Sequence, residues 1–293
     1  MLKKFLEHIE LEKRYSPHTI TSYRKDLEDF HLFYTQTEGS EKLWNADKKV
    51  IRNFIVYLSE RKIAKRSINR KLSSLRSYFL FLLKIGEISV SPMESIKSLK
   101  FYAEKQIPFS QDEMNDVQKL PPVKESDFLS QLIIETLYQT GMRKAELCGL
   151  RYDHVNLTGQ EMKIIGKGNK ERVIPISDDL AGRLQSYRQE RKPLKGSEIW
   201  FFINSKGKKL GEKFVYSTVN NYLGMVSAKK KKSPHILRHS FATHVLDNGA
   251  EISKVKKLLG HSSLASTQVY TTANIAQLKK VFNNAHPRAK DKE

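Results

Sequence analysis

Apolar residues recur at helical spacing through roughly the first hundred positions. Phe5, Ile9 and Leu11 open an amphipathic pattern, and Ser16-Pro17 interrupts it with a serine N-cap and a proline at the first helical position. Ile20, Tyr23, Leu27, Phe30 and Phe33 resume the helical period, and Val50, Phe54 and Leu58 mark a third helix. Ser67 to Leu83 predicts a fourth, with Ile68, Leu72, Leu75, Tyr78, Phe79 and Leu82 on its apolar face. Gly86 closes that helix, and Val90-Ser91-Pro92 stops any continuation.

The pattern changes after Pro108. Residues 1–100 therefore read as a helical domain, 101–108 as a linker, and 109–293 as a second domain that opens on Ser110 with Glu113 at capping-box spacing. Ser130 to Thr140 is an apolar helix ending at Gly141, followed by a short helix from Lys144 to Leu150. Val155 and Leu157, then Met162, Ile164 and Ile165, then Val173, Ile174 and Ile176 predict three short strands, with turns at Thr158-Gly159 and Gly166 to Lys170. Helices are expected again only from about Lys213, and the tail from Thr272 to about Asn284 is amphipathic through Ile275, Leu278, Val281 and Phe282. The fold class is mainly α with a small antiparallel β-sheet, in two domains.

Composition adds one unusual fact. The 293 residues are 39% hydrophobic and 29% charged, ordinary for a globular protein, but Lys+Arg 52 against Asp+Glu 32 leaves +20. A surplus of that size repels itself in the folded state and points to a polyanionic partner. Arg66, Arg70, Lys71 and Arg76 lie mostly off the apolar face of the fourth helix, where they either form a solvated surface or lie against phosphates. Lys229 to Lys232 reads as a solvated loop. Cys148 is the only cysteine, so neither an internal disulfide nor a thiolate-rich zinc site is available, and a reducing, cytoplasmic setting is expected. The first residues carry charges too closely spaced for a signal peptide, and no apolar run has the length of a membrane span.

Four separated segments carry chemistry. In Thr140-Gly141-Met142-Arg143-Lys144-Ala145-Glu146, Gly141 permits a sharp turn and places Arg143 at a helix start. A cation there opposes the helix dipole, so either a bound anion or Glu146 three residues on must answer it. In Gly166-Lys167-Gly168-Asn169-Lys170, the flanking glycines leave Lys167 free to swing, and Lys170 adds a second cation. The spacing is not that of a phosphate-binding Walker loop. In Ser233-Pro234-His235-Ile236-Leu237-Arg238, the cap and proline start a helix, so His235 and Arg238 share a face beside exposed backbone amides, a phosphate site or a local cap with an ion pair. In Leu258-Leu259-Gly260-His261, Gly260 closes one helix with His261 at the junction, and Tyr270 lies about two and a half turns into the next. A helical tyrosine is ordinarily core or interface.

Taken together, the order Arg143, Lys167, His235-x-x-Arg238, His261, Tyr270 resembles the tyrosine recombinase, or lambda-integrase, family, and TGMRKAEL, GKGNKERVIPI, SPHILRHSFATH and LLGHSSLASTQVYT are close to its bacterial Xer branch. The resemblance spans nearly the whole chain. It implies a helical core-binding domain and a catalytic domain closing on DNA as a C-shaped clamp. It implies Tyr270 as the nucleophile, Arg143, Arg238 and His261 on the phosphate oxygens, His235 in proton transfer, Lys167 as the acid for the leaving hydroxyl, and Glu146 supporting them from behind. It implies no metal and no organic cofactor. The implied partners are double-stranded DNA with inverted-repeat half-sites, three further subunits in a homotetramer or a heterotetramer with a paralogous recombinase, and a septal DNA translocase of the FtsK type. The amphipathic tail is expected to dock into a neighbouring subunit. Because the chain opens directly on core-binding helices, a chromosomal enzyme that resolves chromosome dimers is favoured over an integrase of a phage or mobile element. A non-catalytic DNA-binding accessory protein is the reading of a different class.

Overall fold

A computed structural model describes residues 1–102, 106–121, 125–166, 168–260 and 272–289. The chain divides into two compact units, Met1–Glu104 and Lys105–Glu293.

The first unit is built from four helices: α1 (Leu2–Leu11), α2 (Pro17–Glu38), α3 (Lys48–Glu60) and α4 (Lys65–Lys84). Their starts are written locally. The Ser16 hydroxyl accepts the Thr19 N–H with Pro17 in the first turn, and the Asp47 carboxylate accepts the Val50 N–H at 2.8 Å. The apolar stripes converge on one core that includes Phe5, Leu27, Phe30, Phe54, Leu72, Leu75, Tyr78 and Phe79. Burial of this aromatic-rich face, rather than helix propensity, holds the bundle.

The second unit begins with α5 (Gln111–Lys119), whose capping box is complete: Ser110 Oγ accepts the Glu113 N–H and Glu113 Oε2 accepts the Ser110 N–H. It continues through α6 (Glu125–Thr140) and α7 (Lys144–Cys148) into an antiparallel sheet of β1 (Val155–Asn156), β2 (Glu161–Ile165) and β3 (Glu171–Pro175), ordered 1-2-3. Met162 faces Ile174 and Ile164 faces Arg172, and all four side chains are buried. Then follow α8 (Asp178–Glu190), α9 (Glu212–Val226), α10 (Pro234–Asp247), α11 (Ile252–Leu259) and α12 (Thr272–Ala285). None of the described helices is long and apolar enough to cross a membrane.

One expectation is corrected. Helices return at Asp178, not at about Lys213: Ser177 caps α8 by accepting the Leu180 N–H, and Leu180, Ala181, Leu184 and Tyr187 are its buried face. That stripe is thin among polar residues, which hides its period. The tail forms α12, whose buried residues lie against its own unit in the single chain. Leu278 and Ala285 join Phe241, Val245, Val255, Leu258 and Leu259 in one cluster. Beyond it, Arg288 donates to Glu135 Oε1 at 2.8 Å and to the Met114 carbonyl at 2.8 Å, fastening the end of the helix to α5 and α6.

Candidate active site

The geometry starts at the α6–α7 corner. Gly141 sits at φ +58°, and a Cβ there would lie 2.6 Å from the Phe241 ring and 2.8 Å from Leu259, so the chain turns where only glycine fits. The turn delivers Arg143 to the start of α7 with extended backbone, φ −76° and ψ 153°. Glu146 answers it twice: Oε2 accepts the Arg143 backbone N–H at 2.8 Å and Oε1 accepts Nη1 at 2.8 Å. Of the two sequence alternatives for Arg143, the pairing with Glu146 is therefore present.

Glu146 also receives a second arginine. Arg172 on β3 donates Nη2 to Oε2 at 2.6 Å and Nη1 to Oε1 at 3.1 Å, and its Nε reaches the Leu258 carbonyl at 3.0 Å. Burial alone would push the Glu146 carboxyl up. Hydrogen bonds and charge from Arg172, then from Arg143, more than offset this, and the carboxyl is held below the ordinary range. Arg238 approaches from α10, 6% exposed, donating Nη1 to the Gly141 carbonyl and Nη2 to the Leu259 carbonyl, each at 2.6 Å. Burial first, then the charges of Arg143 and Arg172, pushes Arg238 down to about 10, so it stays a cation at neutral pH. His235, in the first turn of α10, is exposed at its edge. Partial burial, then Arg238, His239 and Arg143, lowers its pKa and favours neutral imidazole.

The structure thus brings Arg143, Glu146, Arg238 and His235 to one wall of the second unit. Lys167, His261 and Tyr270 lie outside the described residues, whereas Gly166 and Gly260, the residues just before the first two, are placed on it. Gly260 ends α11 at φ +66°.

Comparison with known proteins decides the family. The model of the phage integrase family matches residues 108–277, and that of the phage integrase N-terminal SAM-like domain matches residues 2–86. A protein named tyrosine recombinase XerC from Pelobacter propionicus is 35% identical over 296 residues, spanning 100% of this chain and 97% of that protein. The chain belongs to the phage integrase family of tyrosine recombinases. A protein named tyrosine recombinase XerD from Staphylococcus haemolyticus is 34% identical, with 99% of each chain covered. The recombinase shares its fold with XerH bound to a palindromic difH substrate (TM-score 0.72, 22% identity, 95% of this chain and 82% of that one) and with the Tn1549 transposon integrase (TM-score 0.72, 16% identity, 95% and 98%).

One residue of this recombinase escaped the sequence reading. Arg172 was hidden in an apolar run, Arg172-Val173-Ile174-Pro175-Ile176, although it is in phase with Ile174 and Ile176. A strand has period two, so a cation at that phase faces the core and must have a partner there.

The recombinase's proposed DNA contacts in the first unit separate into two groups. Arg66 and Arg70 are exposed and line a shallow depression with Asn69, Ser73 and Phe101. Arg70 also reaches Asp26, and Arg76 donates Nη2 to the Ile96 carbonyl at 3.0 Å. Lys71 is a correction. It is 7% exposed and ion-paired with Asp26 and Asp29 of α2, which turns it from solvent into the bundle. In the second unit Lys170 is exposed on the β2–β3 turn, closed by the Gly166 N–H on the Lys170 carbonyl at 2.8 Å. Lys229, read as part of a solvated loop, donates to Glu113 and to the Pro108 carbonyl.

Proposed function

We propose that this recombinase is of the Xer type: it cuts DNA strands through a 3′-phosphotyrosyl link at Tyr270, exchanges them and reseals them, resolving chromosome dimers at a dif-like site. The observation that carries the chemistry is that Arg143, held by the buried Glu146 carboxylate, lies on one wall with Arg238 and His235. The observation that carries the biological role is full-length similarity to proteins named XerC and XerD.

Attack on a phosphodiester builds charge on its non-bridging oxygens, and guanidinium groups held rigidly at that point stabilise it. Arg143 and Arg238 take this role, with His261 adding a hydrogen bond. A phenol has a pKa of about 10, so Tyr270 gives up its proton as it attacks, and neutral His235 is the base that receives it. The leaving 5′-hydroxyl needs a proton, which Lys167 supplies from its turn. One phosphodiester is exchanged for a phosphotyrosyl ester, so a partner strand's 5′-hydroxyl reverses the step without ATP.

The partner is a DNA duplex with inverted half-sites, held mainly through phosphate contacts by Arg66, Arg70 and Lys170, in a tetramer on two sites. The named substrate of a structural relative, the difH site of XerH, supports the dif-like assignment. The cytoplasm, and activation by a septal DNA translocase, complete this reading.

The test is covalent capture. Wild-type protein and Tyr270→Phe are incubated with fragmented DNA of the source organism, complexes are recovered under denaturing conditions, and the attached DNA is sequenced. Capture by the wild type alone, at one inverted repeat per chromosome, is expected. Capture at the ends of a mobile element would make the protein an integrase instead. Equal capture by both proteins would remove Tyr270 from its role.

A further inference from the structure

Two arginines share the Glu146 carboxylate, and they face opposite ways. The Arg143 side chain is 45% exposed, that of Arg172 only 4%. We propose that Arg172 is a positioning residue for strand cleavage: by tying Glu146 to the end of α11 it seats Arg143 and the backbone from which Lys167 and His261 follow. This inference rests on the recombinase reading above.

The geometry is specific to an arginine. Its planar fork meets both Glu146 oxygens, and Nε remains for a third acceptor, the Leu258 carbonyl. That carbonyl belongs to the last turn of α11, among the carbonyls that a helix end leaves without an i+4 partner. Two glycines lie directly on the resulting ion pair. A Cβ at Gly166 would sit 3.3 Å from Glu146 Oε1 and 3.4 Å from Arg172 Nη1, and one at Gly260 would sit 3.1 Å from Arg172 Cδ. Lys167 follows the first glycine in the chain and His261 the second. One guanidinium therefore underlies two segments remote from each other in sequence, together with the α7 start.

Stability alone is a poor reason for a cation at this position. Arg172 stands opposite Ile164 on the buried face of the sheet, where an aliphatic side chain matches the pattern. Burying an ion pair is often no more favourable than burying apolar groups of the same volume. What an aliphatic residue could not do is hold Glu146 ionised with both oxygens fixed, and so hold Arg143 in one place.

Full-length Arg172→Met and Arg172→Lys are compared with wild type on the captured DNA site, presented as a nicked suicide duplex. Single-turnover covalent capture, DNA affinity and melting temperature are measured. The Met variant is expected to lose about 30-fold in capture rate, with affinity changed less than about threefold, the scale on which outer residues that orient reacting groups act. Its rate should also acquire an acid limb at higher pH than wild type. Without Arg172, burial acts on Glu146 against Arg143, with Arg238 the other nearby cation, and the carboxyl rises. Adding Glu146→Gln should abolish that shift in the limb.

The Lys variant keeps the charge but not the fork, and should recover part of the rate. If the Met variant does not fold, the Lys variant decides alone: about a tenfold loss of capture with intact DNA binding supports the inference. Wild-type capture by the Lys variant, or parallel loss of capture and binding with an unmoved acid limb, would overturn it. A wild-type chain that forms no covalent complex sinks the recombinase reading itself.

Discussion

Arg238 Nη1 donates to the carbonyl of Gly141 at 2.6 Å, across 97 residues of chain. The same guanidinium donates Nη2 to Leu259, so one side chain on α10 ties the end of α6 to the end of α11. Arg238 is thus built into the wall that it electrifies. A lysine could keep the charge but could not span both carbonyls. For Arg238→Lys, covalent capture should fall about 100-fold or more, as for loss of a fixed transition-state donor. Thermal melting should show a loss of about 2 kcal/mol, typical of a broken charged hydrogen bond. Capture at the wild-type rate would exclude Arg238 from the phosphate.

In the first unit, Lys71 and Arg66 are both basic residues of α4, but their environments differ. Asp26 is fully buried and takes Lys71 Nζ at 3.1 Å, Arg70 Nη2 at 2.7 Å and the Ser74 hydroxyl at 2.8 Å. Lys71→Met should destabilise the protein by about 3–5 kcal/mol, because it strands part of a buried charge. It should leave the salt dependence of DNA binding unchanged. Arg66→Ala should do the reverse, lowering the log–log salt slope by about one while leaving melting within about 0.5 kcal/mol of wild type. A reduced slope for Lys71→Met would restore it as a phosphate contact.

Below α12, His286 is completely buried against Tyr138, Phe241 and Phe282, and its Nδ1 accepts the Arg288 N–H at 3.0 Å. Burial, with Arg288 and His244 adding repulsion, pushes it down to about 3. The unfolded chain therefore takes up this proton first. The stability that neutral His286 allows is complete above the ordinary histidine pKa and is lost as pH falls below it, by at most about 1.4 kcal/mol per pH unit. His286→Phe should flatten the decline in melting temperature between about pH 6.5 and 4. Some slope should persist, since His244, bonded through Nδ1 to the Tyr138 hydroxyl at 2.8 Å, is lowered as well. An unchanged slope would mean that His286 reaches solvent before the protein unfolds.

Much of this architecture is local in origin and legible in the sequence. Ser16-Pro17, the Ser110/Glu113 box and Gly260 each set a helix end through contacts within a few residues, and Pro234 opens α10 although the Ser233 side chain makes no cap bond. The three strands follow from their alternation and turns. Of the candidate site residues named from their types and order, Arg143, Glu146, His235 and Arg238 lie together in the structure.

What the sequence left open is the partner of each buried charge. Lys71 and Arg70 are neighbours in the chain, but only the packing of α2 on α4 turns Lys71 onto Asp26, 45 residues away. The amphipathic period of α12 is legible in the sequence, but only the packing brings Leu278 and Ala285 against Phe241, Val255 and Leu258. Arg172 acquires its meaning from Glu146 and Leu258, 26 and 86 residues distant. Caps, turns and periods are properties of a short stretch of chain, so the sequence by itself determined them. Compensation of a desolvated charge requires atoms from remote segments to arrive within hydrogen-bonding distance, and only the tertiary structure decides that.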